Sequence, residues 1–73
     1  MGRHRVEYLT DRQEQILRHI RTAITDQGEA PTVAELAAAM SMQPSSVHYQ
    51  LVELETKGAI VREPHRHRGI RLA

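Results

Sequence analysis

Three features of this 73-residue chain predict a mainly α fold with a small β-hairpin, a winged helix-turn-helix of three helices plus an antiparallel wing. Two capping-box patterns, Thr10 with Gln13 and Thr32 with Glu35, each open an apolar stripe of helical period. A tight turn, SMQP, leads from the second stripe into a third. After Gly58 the helical period stops, and two short segments rich in apolar and β-branched residues flank a basic turn.

In the first element, Ile16, Leu17, Ile20 and Ile24 recur on one face, and Gly28 supplies a left-handed stop, so the expected helix runs from Asp11 to about Gln27. Glu14 stands one turn before Arg18, a pairing worth roughly 0.2–0.5 kcal/mol on a solvated face. Pro31 ends any continuation, and a short second helix carries Val33, Leu36, Ala37 and Met40 inward. Pro44 is tolerated in the first turn of the third helix, where its missing N–H would lack a partner anyway. Val47, Leu51 and Leu54 form that helix's inner stripe, and Lys57-Gly58 closes it. Two helices joined this tightly read as a helix-turn-helix. AIVRE and GIRLA, separated by PHRHR, read as the wing, with Ile70 and Leu72 toward the core and Arg71 outward. Residues 1–8, with Arg3, His4 and Arg5, are expected to form a flexible basic arm, and residues 9–73 the folded domain.

Composition narrows the function. A chain this short supports one small core and leaves little room for a buried cofactor; none is expected. Absence of Cys removes disulfides, a thiolate nucleophile and a cysteine zinc site together. No apolar run is long enough to span a membrane, and MGRHRVEY has no signal-type segment, so a cytoplasmic, nucleoid-associated protein is expected. The net charge is only +1, but its placement is uneven. Between Thr22 and Thr56 there is no cation, while Asp26, Glu29, Glu35, Glu53 and Glu55 lie in that window. A basic surface can therefore form only from the two ends of the sequence.

Taking 100° per residue from Val47, the outward face of the third helix holds Ser45, Tyr49, Val52 and Thr56, flanked by Ser46 and His48. Hydroxyl, imidazole and phenol groups suit base edges, and none is a phosphate clamp. Ser45, Ser46, His48 and Tyr49 are the expected base-reading residues, because the start of the second helix of the motif meets the bases. Lys57, Arg66, Arg68 and Arg71 are the expected backbone contacts, although Arg71 could equally pair with Glu63 across the hairpin. His65 and His67 lack a complete ligand set, so no metal is expected. Protonated His48, His65 and His67 would add positive charge near DNA; free imidazole titrates near ~6.5, so binding is expected to tighten from pH 8 to pH 6. Catalysis is not expected, since no carboxylate orients His48 and its neighbouring serines do not face it. Double-stranded DNA is the expected partner, engaged by a homodimer or a cooperative pair, with no membrane and no small-molecule substrate. The alternative is a winged-helix protein-interaction or dimerisation module built on Tyr49, Val52 and the acidic middle.

With those residues in place, nearly the whole chain, from Leu9 to Leu72, resembles the N-terminal DNA-binding domain of the LexA family of SOS repressors. LTDRQEQILRHIR is similar to the family's L-T-x-R-Q helix, and APTVAELA to its P-P-T-x-x-E-I-A segment. SSVHYQLVELETKGAI resembles its recognition helix with the following K-G, and RGIRL its wing strand. The SSV and QL-x-x-LE patterns are nearest to actinobacterial members. This resemblance implies operator binding, with the bases read from Ser45, Ser46, His48 and Tyr49. His48 and Tyr49 replace smaller or acidic residues of relatives, so the family's operator sequence is not carried over; Ser41 stands where a glycine is common. The resemblance covers the family's first domain and not its self-cleaving second domain, so self-cleavage is not inferred from it.

Overall fold

The computed structural model describes residues 8–66 and 68–73. The basic arm expected over residues 1–8 falls outside them except for Tyr8, as does His67. Three helices, α1 (Asp11–Gln27), α2 (Val33–Met40) and α3 (Pro44–Thr56), precede two strands, β1 (Ile60–Arg62) and β2 (Ile70–Leu72). The strands pair antiparallel with Ile60 opposite Leu72, Val61 opposite Arg71 and Arg62 opposite Ile70.

Both expected capping boxes form. Thr10 Oγ1 accepts from the Gln13 N–H while Gln13 Oε1 accepts from the Thr10 N–H, and Thr32 with Glu35 repeats the arrangement. Each satisfies two N–H groups that a helix start otherwise leaves unpaired. Gly28 ends α1 with φ +79°, a left-handed conformation that costs glycine nothing. The turn between α2 and α3 asks the same of Ser41, at φ +55°, the one non-glycine residue with positive φ among those described. A side chain there costs about 1–2 kcal/mol. The bond from the Met42 N–H to the Ala37 carbonyl, at 2.9 Å, helps hold the turn closed.

The core gathers Ile16, Leu17 and Ile20 from α1, Leu36 and Ala37 from α2, Val47, Leu51 and Leu54 from α3, and Ile60 and Ile70 from the hairpin. Ile24, Val33 and Met40 pack at its margin, partly buried. Leu72 departs from expectation. It lies opposite Ile60 and so on the core face, yet stays 37% exposed. An open groove lined by Leu9, Leu17, Gly58 and Ala59 runs beside it, and among the described residues no element covers that end of the sheet. Nor does the Glu14–Arg18 pair form: every ion pair among the described residues involves a wing arginine. An exposed pair must offset the ordering of two long side chains, and here the gain is too small.

Candidate nucleic-acid interface

Helix α3 is held by its inner stripe, Val47, Leu51 and Leu54, all fully buried. A second restraint comes from Gln13, a polar side chain only 4% exposed. Its Nε2 donates to Gln50 Oε1 at 3.0 Å, and its Oε1 accepts from Lys57 Nζ at 2.8 Å while also capping α1. One amide therefore ties the start of α1 to the middle and the end of α3. Buried polar groups of this kind fix orientation because each lost bond would leave an unsatisfied atom.

That fixed orientation turns the remaining faces of α3 outward. Ser45, Ser46 and His48 are exposed, and Tyr49, at 61%, is among the most exposed large side chains. Val52 and Thr56 continue the same face. Unlike the other two helices, α3 has no side-chain cap: Gln43 makes no capping bond, Pro44 takes the first position, and the first turn contains no acid. An uncapped, acid-free helix start keeps its partial positive charge available to an anion.

The wing is built around a short turn. The Glu63 N–H donates to the Gly69 carbonyl at 2.6 Å, and the Arg66 N–H to the Glu63 carbonyl at 3.0 Å. Glycine is required at residue 69 because a Cβ there would run into the Glu63 carbonyl. Val61 and Arg71 face each other, and Glu63, two residues past Val61, shares their side of the hairpin.

The four expected backbone contacts fall into two groups. Arg66 is 73% exposed, with its Nε 3.5 Å from Glu63. Arg71 is also largely exposed and takes the Glu63 partner at 2.7 Å. Two guanidinium groups thus share one carboxylate, leaving net positive charge on that side. Lys57 and Arg68 are bound inward instead. Lys57 reaches Gln13, as above, and Arg68 spans to the start of α2, where it meets Ala30, Glu35 and Glu29. The hydrogen bond to Glu35 raises the Arg68 pKa above its ordinary value, against a smaller effect of desolvation, with the charges of Glu35 and Glu29 adding to the rise. Arg68 is cationic at any working pH.

One cation was not among the expected contacts. Arg62, half-buried at the end of β1, has no ion-pair partner among the described residues and lines a small cleft with Thr32, Val33 and Arg66. Its place in the basic stretch after Gly58, four residues before Arg66, was the available signal. Among the described residues no helix is long and apolar enough to cross a membrane.

The family model for the LexA DNA binding domain matches residues 6–69. The chain is 42% identical over 71 residues to the LexA repressor of Magnetococcus marinus, covering 97% of this chain and 31% of that protein. It is 44% identical over 70 residues to the LexA repressor of an Azoarcus species, covering 94% and 35% respectively. For the LexA repressor of Corynebacterium efficiens the identity is 44% over 63 residues, covering 85% and 27%. The chain therefore spans about a quarter to a third of the length of these curated relatives. With the matched region enclosing all three helices and the hairpin up to Gly69, the chain belongs to the LexA DNA-binding domain family.

Proposed function

We propose that this chain binds double-stranded DNA sequence-specifically and serves transcriptional repression, with α3 in the major groove and the wing along the backbone. The observation that carries the reading is the uncharged, exposed face of α3 between an uncapped helix start and a hairpin rich in arginine. Ser45, Ser46, His48 and Tyr49 read base edges by hydrogen bonding and ring contact. Arg66 and Arg71 contact phosphates, joined by Arg62 and by the α3 N-terminus; the Arg68 fork is engaged within the protein, and Lys57 gives one of its three donors to Gln13. Charge neutralisation is thereby separated from sequence reading.

A single domain of this type covers about 600–1,000 Å² on DNA, so high specificity calls for a second copy on an adjacent half-site. The protein acts where the DNA is, in the cytoplasm. The salt dependence of duplex binding tests the backbone assignment. Arg66→Ala is expected to weaken binding to all sequences and to reduce the slope of log K against log salt by about 0.9, the loss of one phosphate contact. An unchanged slope would remove Arg66 from the interface. Failure of the wild type to bind any duplex even at low salt would instead favour a protein partner.

A further inference from the structure

Arg68 belongs to the wing turn but makes its bonds elsewhere. Its Nη1 donates to Glu35 Oε1 at 2.8 Å and to the Ala30 carbonyl at 2.9 Å, and its Nη2 donates to Glu35 Oε2 at 3.0 Å. Its Nε lies 3.6 Å from Glu29. These partners precede it by 33 to 39 residues: Glu35 and Ala30 are 33 and 38 positions away, and Glu29 is one before Ala30. The wing is thus tied directly to the start of α2.

Most exposed ion pairs contribute little, because two long side chains must be held in one geometry. This one differs on both sides. Glu35 is already oriented, since its Oε1 caps the Thr32 N–H at 3.0 Å. The Arg68 side chain is only 28% exposed, and its planar fork meets both carboxylate oxygens, which fixes angle as well as distance. The hairpin needs such an anchor: two three-residue strands are marginal alone, and of their six residues only Ile60 and Ile70 are buried in the core.

We propose that Arg68 is a positioning residue for DNA binding: by strapping the wing turn to the start of α2, it presents Arg66 and Arg71 at a set angle to α3 before DNA arrives. The inference rests on the duplex-binding reading above. A preformed wing avoids ordering its turn on binding, and ordering one more backbone residue costs about tenfold in affinity. Arg68 then serves the complex without touching a phosphate.

Glu35→Gln separates this role from simple electrostatics by sign. Gln at this position can still complete the capping box, and Arg68 keeps its charge. Removing a negative charge should tighten binding to a polyanion if charge alone matters. Loss of the strap should weaken it, by about tenfold, with the wild-type salt slope retained. In the free protein, relaxation of the Arg66 and Gly69 amides should report increased picosecond-to-nanosecond mobility in the variant. Arg68→Lys, which leaves α2 untouched and keeps the charge but not the fork, should behave alike and serves if Glu35→Gln does not fold by circular dichroism. Binding by both variants as tight as wild type or tighter, or an unchanged wing mobility, overturns the positioning role. A wild-type protein that binds no duplex would be a failure of the DNA-binding reading itself, and is distinguished by being seen before any substitution.

Discussion

Leu51→Ala is expected to lower stability by about 2–5 kcal/mol, the usual cost of truncating a buried leucine when the cavity only partly collapses. Leu51 is fully buried at the middle of α3, between Val47 and Leu54 on the stripe that seats the helix. A single core of this size rarely provides more than about 3–5 kcal/mol in total, so most molecules should be unfolded at 37 °C. Duplex binding would fall with the folded fraction. Thermal unfolding followed by circular dichroism gives the stability, and a gel-shift titration the binding. Val52→Ala on the exposed face of the same helix is the control, expected within about 0.5 kcal/mol of wild type.

The second large effect concerns choice of sequence rather than folding. Tyr49→Ala should leave the fold and the salt slope intact while altering which duplexes are preferred. A good base-edge contact discriminates by about 1–3 kcal/mol, so the ratio between best and mismatched sites should change by roughly five- to 150-fold. Selection from a randomised duplex pool, sequenced for wild type and variant side by side, reads this directly. Identical preferences would mean that Tyr49 faces solvent in the complex. Because Tyr49 is exposed and lies off the buried stripe, a loss of stability should not confuse the result.

Much of this architecture was legible in the sequence because its signals are local. The bounds of α1 came from a capping box at one end and a glycine at the other, both within one turn of the helix ends they set. The outward face of α3 followed from helical period alone, since an inner stripe of Val47, Leu51 and Leu54 leaves little choice of what points out. Strand alternation placed Ile70 inward and Arg71 outward, but could not show how far the described helices cover the sheet end beside Leu72. That depends on which helix passes there.

The wing charges were the less legible part. Lys57 and Arg68 read as phosphate contacts because they stand with the other cations on the wing and at the end of the reading helix, whereas their partners, Gln13 and Glu35, lie 44 and 33 residues away. Side-chain partners at such separation are set by tertiary placement, which no local pattern encodes. Glu29 and Glu35, inside the stretch without cations, turn out to be what holds Arg68. An acidic middle between basic ends was thus a sign of internal pairing as well as of a polarised surface. Glu63 gave a local sign, three residues before Arg66, and its sharing between Arg66 and Arg71 completes the pattern.

The central claim is that α3 and the wing, not another basic surface, face the DNA. A competitor exists on α1, where Arg12, Arg18 and Arg21 are exposed. Amide chemical shifts of the isotope-labelled protein, followed through a titration with duplex DNA, distinguish the two. The largest changes are expected at Ser45, Ser46, His48 and Tyr49, with a second group at Arg62, Arg66 and Arg71. Changes centred on Arg12, Arg18 and Arg21, with the start of α3 undisturbed, would contradict the account.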